Sequence, residues 1–184
     1  MNTLHIFLIL YSVYLVTVSI GITFGYHRYF AHSEFKASPF LECVMLYCGL
    51  LCGGRSALAW CGAHRIHHAY ADTDLDPHSP KYHSCYSVIL SQWRIKYIPR
   101  KFIADLIKNP RIVFFHRYRK PIYFTSMIVT GIVPVLFLSV MSYLGFGLLN
   151  YYGHTATGPV NRIWLNLVAP FEGNHEDHHA KTKK

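Results

Sequence analysis

LHIFLILYSVYLVTVSIGITF, residues 4–24, runs its whole length without a Lys, Arg, Asp or Glu. A helix needs roughly 20 apolar residues to cross a bilayer, so this stretch fits one crossing with little to spare. It is apolar on all sides, and lipid is the surrounding that accepts such a helix. No Lys or Arg precedes it, which argues against a cleaved signal. Where it ends, the His-rich segments begin, with HRYFAH at 27–32. The alternation of apolar and His-rich blocks then repeats. Pro39–Trp60 is apolar but holds Glu42, Gly53, Gly54 and Arg55. The segment 40–60 is therefore expected to lie in the interface or dip back rather than cross. Ile122–Asn150 is a third block without charge, containing Gly131, Pro134, Gly145 and Gly147. It is expected to form a hairpin turning near Pro134–Leu138, because the His-rich segments on either side must meet.

Composition agrees with a membrane chain. Of 184 residues, 52% are hydrophobic and 15% charged, against about 25% charged in a typical soluble domain. Disorder is excluded, and an ordinary soluble globule fits poorly. All fourteen Lys and Arg from Arg28 to Lys120 lie between the first and third apolar blocks; the other four follow Val160, and the first 27 residues have none. Positive charge marks the cytoplasmic side, so whatever is not in lipid after the first span faces the cytoplasm. The fold expected is an all-α integral membrane protein, one domain over 1–184. Its spans would lie at about 4–24 and 122–150, under a cytoplasmic helical cap of 61–120 and 151–184. Cys43, Cys48, Cys52, Cys61 and Cys85 form no CxxC pair and read as reduced thiols.

The chemistry sits in thirteen histidines. HRIHH at 64–68 and HEDHH at 175–179 both read H-x-x-H-H. On a helix, positions i, i+3 and i+4 share a side, so three imidazoles can converge. Chance would give roughly 0.06 such motifs in a chain of this composition, so two together carry weight. His27 and His32 are five apart, about 140° around an α-helix, and cannot bind one ion from a straight one. They can straddle two ions or close across a frayed end. Asn150 and His154 share a face at i and i+4. The candidate ligands are thus His27, His32, His64, His67, His68, His154, His175, His178 and His179. Nine imidazoles exceed one ion's needs and imply two metals, which ligand type alone does not name. His5, His78, His83 and His116 are read as bystanders.

HRYFAH, HRIHH and HEDHH, in that order between apolar blocks, resemble the three histidine boxes of the membrane fatty-acid desaturases. NYYGH, at 150–154, resembles the extra Asn-x-x-x-His of the stearoyl (Δ9) branch. The flanking GYHRYFAHSEFK and WCGAHRIHHAYADTDLDPHSP are similar too, and the resemblance runs from about Gly21 to Ala180. It implies two non-haem irons held by the nine histidines, with Asn150 reaching one through water. It also implies O₂-dependent removal of two hydrogens from a saturated acyl chain, giving a cis double bond. Electrons would come from a separate donor such as ferredoxin or a cytochrome b5-like protein. An alkyl C–H has no acidity, so acid–base side chains cannot cleave it and a redox cofactor is needed. The boxes do not separate a desaturase from a lipid hydroxylase on the same scaffold. A non-catalytic metal-binding membrane protein is disfavoured, because transport ligands sit mid-span and these histidines sit at span ends.

Trp60, just before the second box, resembles a family tryptophan lining the acyl tunnel; the other reading is an interfacial anchor. Glu172, Glu176, Asp177 and Asp76 are candidates to orient imidazoles. Animal acyl-CoA desaturases carry an Arg and an Asp just before the second box, where this chain has Gly62 and Ala63. That departure favours an acyl glycerolipid or acyl-ACP over acyl-CoA as substrate. The formal charge of +9 fits cytoplasmic orientation, anionic lipid and an acidic electron carrier, not nucleic acid.

Overall fold

The computed structural model describes residues 2–90, 95 and 97–182. The first apolar block forms α1 (Thr3–Val18), whose start is capped by Asn2 accepting from the His5 amide. It runs on without a break into a π-helix, Ser19–Ala31. α2 (Pro39–Leu51) starts at the Ser38 cap with Pro39 in its first turn, where a missing N–H costs nothing. It packs antiparallel along the π-helix. Gly21 lies against Gly49, Gly25 against Met45, and the Tyr29 hydroxyl donates to Glu42 at 2.6 Å. A Cβ on Gly21 would strike the Gly49 backbone, so glycine sets how closely these helices approach. A turn with Gly53 and Arg55 at positive φ reverses the chain. α3 (Ala57–Tyr70), capped by Ser56, then returns to the level of the first box. Within the fold the second block therefore runs away from the histidine end and returns to it, and the buried Glu42 is answered by Tyr29, Asn109 and Arg111.

After a short α4 (Cys85–Ile89) come α5 (Pro110–Arg117), α6 (Arg119–Thr130) and α7 (Ile132–Tyr152). The third apolar block is a hairpin, but it turns at Gly131, not near Pro134–Leu138. Gly131 has φ +94°, open to a residue without a side chain. Pro134 falls in the first turn of α7, where its absent donor would have had no intrahelical partner anyway. The legs are unequal, 12 and 21 residues, and a Tyr123–Ser139 hydroxyl bond of 2.6 Å ties them. Thr3–Ala31 and Ile132–Tyr152 are both long and apolar enough to cross a membrane. They lock side by side where Tyr14 donates to the carbonyls of Met141 and Val168. Tyr14, Val18, Ile22, Tyr26, Leu46, Trp60 and Phe146 fill the core between them and α2–α3.

Past α7, β1 (His154–Thr155) pairs antiparallel with β2 (Gly158–Pro159), and a 3₁₀ turn at Ile163–Leu167 leads to α8 (His175–Thr182). The end of the π-helix, the second half of α3, the end of α7 and α8 all meet at one end of the bundle. Every histidine box is carried there. Among the described residues of 61–120 the chain alternates short helices with 3₁₀ turns at Arg100–Phe102 and Leu106–Lys108; Trp93, Arg94 and Lys96 of its basic run lie outside the described residues.

Candidate metal centre

The nine histidines fall into two groups, within each of which one nitrogen per residue lies within 4.8 Å of all the others. One group is His27, His32, His64, His68 and His178; the other is His67, His154, His175 and His179. Each H-x-x-H-H box feeds both. From α3, His64 and His68 enter the five-histidine group and His67 the four-histidine group. From α8 the assignment is reversed, with His175 and His179 in the smaller group and His178 in the larger. The i, i+4 pair of each box thus clasps one position while the residue between them reaches the other. Convergence of all three imidazoles of a box on one point does not occur.

His27 and His32 do share a group, and the π-helix is the reason. Its i→i+5 hydrogen bonding, continued by the His32 amide to the His27 carbonyl at 3.2 Å, brings residues five apart onto one face. Their ring centroids are 5.1 Å apart. The 140° separation holds for an α-helix, and this segment is not one.

Contacts between Nε2 atoms trace each group. In the larger, His27 meets His178 at 2.8 Å, His178 meets His68 at 3.0 Å, His68 meets His64 at 3.0 Å, and His64 meets His32 at 2.9 Å. In the smaller, His67 meets His179 at 3.2 Å, His179 meets His175 at 3.2 Å, and His175 meets His154 at 3.0 Å. Acceptor nitrogens turned toward one another inside a buried space are unfavourable unless a cation lies among them.

The opposite ring nitrogens support the same reading. His27 Nδ1 bonds Glu172 at 2.8 Å, His67 Nδ1 bonds Asp76 at 2.8 Å, and His154 Nδ1 bonds Asp72 at 3.1 Å. His68 Nδ1 meets the Thr182 hydroxyl at 3.0 Å. A proton held at Nδ1 by a carboxylate leaves the lone pair on Nε2, the form that ligates metal. Asp76 is itself fixed by the amides of His78 and Asp72. Burial favours neutral rings throughout. It lowers His64, His67, His68 and His175 well below the usual imidazole range, His32 and His179 to about 3, and His178 to about 2. Burial also raises the Glu172 carboxyl to about 8; a cation held through His27 would oppose that shift. The donor set, nine neutral imidazoles with three oriented by buried or half-buried carboxylates, fits two transition-metal ions.

The two groups differ in access. The four-histidine group is wholly buried, whereas His32, His64, His68 and His178 are only half-buried. A polar cavity of about 660 Å³, bordered by Arg28, Glu34, Asp177 and Lys181, reaches His32 and His178 from outside. On the apolar side, a cavity of about 20 Å³ lies between Trp60, His64, Phe146, Leu149, Asn150 and His175. That volume admits about one water. Asn150 thus borders both groups at a water-sized space, and the buried His175 Nδ1 has no hydrogen-bond partner among the described residues. Trp60 is buried and stacked on His64, with centroids 5.0 Å apart, which excludes the interfacial-anchor reading.

Of the four acidic residues expected to orient imidazoles, Glu172 and Asp76 do so. Glu176 and Asp177 are exposed, and neither bonds an imidazole; both amides and the Asp177 carboxylate engage Asn161. Asp72 and Thr182 were not anticipated. The signal for Asp72 was the acidic turn DTDLDPHSP directly after the second box. His5, His83 and His116 belong to neither group, and His116 bonds Ser56. His78 also stays outside both, yet it is buried 5.3 Å from the His67 ring and walls the small cavity. Gly62 and Ala63 are both buried as well. A Cβ on Gly62 would come within 2.6 Å of Ile98, and Ala63 lines the histidine cavity. Packing excludes charge at both positions, so their neutrality carries no information about the acyl carrier. Arg65 is equally committed, bonded to Asp105 and to the carbonyls of Phe30, Ala31 and Phe102.

Residues 4–183 match the family model for fatty acid desaturases. The chain belongs to the fatty acid desaturase family. It is 28% identical to an sn-1 stearoyl-lipid 9-desaturase of Anabaena variabilis, over 91% of this chain and 69% of that protein. It is 29% identical to Delta-9 acyl-lipid desaturase 2 of Arabidopsis thaliana, over 88% and 59% respectively. A probable acyl-CoA desaturase of Schizosaccharomyces pombe is 32% identical over 95% of this chain and 41% of its own length. The chain spans between 41% and 69% of the length of these curated relatives.

Proposed function

We propose that this chain is an O₂-dependent, di-iron acyl desaturase of the Δ9 type, acting on lipid-linked saturated chains. The observation that carries the reading is the pair of histidine groups, five and four, with Asp72, Asp76 and Glu172 behind three of the rings. His27, His32, His64, His68 and His178 would hold one iron; His67, His154, His175 and His179 would hold the other, with Asn150 reaching it through water. Two irons there would supply the oxidising power to take two hydrogens from unactivated carbons, with O₂, two electrons and two protons leaving as two waters.

The chain's own residues do the rest. Asp76, Asp72 and Glu172 hold protons at Nδ1 of His67, His154 and His27, which fixes each ring's tautomer and direction. Trp60, Phe146 and Leu149 form the apolar wall against which an acyl chain would lie, and they keep bulk water from the histidines. The open cavity at His32 and His178 is where a ferredoxin or cytochrome b5-like donor would come closest to the centre. Thr3–Ala31 and Ile132–Tyr152 would be the membrane crossings, with the histidine end on the cytoplasmic side, a placement that the Lys and Arg distribution supports. The lipid carrier rests on the acyl-lipid desaturases among the relatives and not on Gly62 and Ala63.

The test is expression in a host unable to make unsaturated fatty acids, followed by lipid profiling. A cis-monounsaturated product, absent with His67→Ala, supports the proposal. A hydroxylated product would make the chain a lipid hydroxylase, and no product with both metals loaded would refute catalysis.

A further inference from the structure

A groove of about 630 Å³ opens on the flank of α6 and α7, bordered by none of the histidines. Its walls include Phe124, Val140 and Leu144, which are 59%, 54% and 43% exposed. Arg55, Arg119 and Lys120 line the same groove, and no Asp or Glu lines it among the described residues. Burial, and then the charge of Arg119, holds the Arg55 guanidinium below its ordinary range. Arg119 and Lys120 open α6, and Gly131 closes it about 18 Å away at 1.5 Å per residue. Arg119 and Lys120 therefore stand at the end of α6 away from the hairpin turn, and Phe124 of the same helix lies nearer the turn.

We propose that this groove binds one anionic phospholipid, its phosphate against Arg55, Arg119 and Lys120 and one acyl tail along Phe124 and Val140. Charge selects the occupant. A zwitterionic lipid would bring its own cation to a site already holding three, whereas a net-negative headgroup is complementary. The groove opens sideways onto the exposed faces of α6 and α7, which suits a ligand arriving from the bilayer. The inference rests on the membrane placement proposed above and not on the catalytic reading, so it stands or falls separately from activity.

Native mass spectrometry of the full chain in mild detergent, titrated with phosphatidylglycerol or phosphatidylcholine of the same acyl chains, tests it. One phosphatidylglycerol per chain should be retained at least tenfold more tightly than phosphatidylcholine. The double substitution R55Q/R119Q should remove that preference, and the charge-keeping R55K/R119K should restore most of it. Circular dichroism and metal content of each variant verify its fold. Equal retention of the two lipids by the unaltered chain would overturn the proposal. So would an undiminished preference in folded R55Q/R119Q, or one-for-one displacement of the lipid by acyl-CoA, which would assign the groove to substrate instead. If R55Q/R119Q does not fold, R119Q alone must reduce the preference severalfold, and its failure to do so would equally overturn it.

Discussion

Asp76→Asn removes one charge from a fully buried group while keeping its shape. Asp76 Oδ1 receives His67 Nδ1 and the His78 amide, each at 2.8 Å, and Oδ2 receives the Asp72 amide at 3.0 Å. An asparagine can keep the first two acceptor contacts through its one oxygen. Its NH₂ then faces the Asp72 amide, donor against donor, which costs about 1–3 kcal/mol of fold stability. The larger effect falls on metal. Loss of the carboxylate behind a ligating imidazole typically weakens binding about 10–100-fold, or about 1.4–2.7 kcal/mol. Because His67 serves only the four-histidine group, one equivalent should weaken and the other should not. Anaerobic loading with Fe(II), competition against a chelator and metal analysis will show this as a split between two equivalents. Asp177→Asn, on the exposed side of α8, is the control and should leave both intact. Two equivalents of unchanged affinity in Asp76→Asn, or an equal loss in Asp177→Asn, would refute the assignment of Asp76.

His67→Ala and His178→Ala should each abolish turnover and each lower bound iron from two to one, from opposite groups; a variant retaining turnover would show its box to be dispensable. The metal-free chain should unfold steeply in acid. A buried imidazole lowered below 6.5 costs nothing above that pH, because both states are then neutral. Below it the unfolded chain takes up protons that the fold refuses, at about 1.4 kcal/mol per histidine per pH unit. At pH 5.5 His32, His178 and His179, lowered to about 2 to 3, contribute about 4 kcal/mol of this loss; urea titrations at pH 7.5 and 5.5 measure it, and equal stability would contradict the burial. Gly131→Ala forces a side chain into φ +94° and should cost about 1–3 kcal/mol. Pro134→Ala should be nearly neutral, and thermal melts that rank the two in reverse order would displace the hairpin turn.

Local chemistry made much of this protein readable in its sequence. Twenty-one uncharged residues from Leu4 to Phe24 dictate a helix that water does not solvate, because nothing on it offsets the exposed apolar surface. Two H-x-x-H-H boxes dictate clustered imidazoles, because i, i+3 and i+4 share a side at helical pitch. Gly53-Gly54-Arg55 mark a break in the second apolar block, since a glycine pair does not continue a helix, and there the chain reverses. What the sequence left open depends on contacts between segments far apart in the chain. The partition of nine histidines into five and four follows from how α3 and α8 face each other, and neither box encodes that alone. The π-helical winding that unites His27 with His32 belongs to a segment packed tightly on α2 through Gly21 and Gly49. Spacing gave no warning of it, because local pattern assumes ordinary helical pitch. Gly62 and Ala63 make the same point in reverse. Their neutrality reads as a missing carrier site along the chain, but in the fold it is required by Ile98 and by the histidine cavity. Side-chain spacing is set by neighbours in sequence, whereas burial and facing are set by neighbours in space.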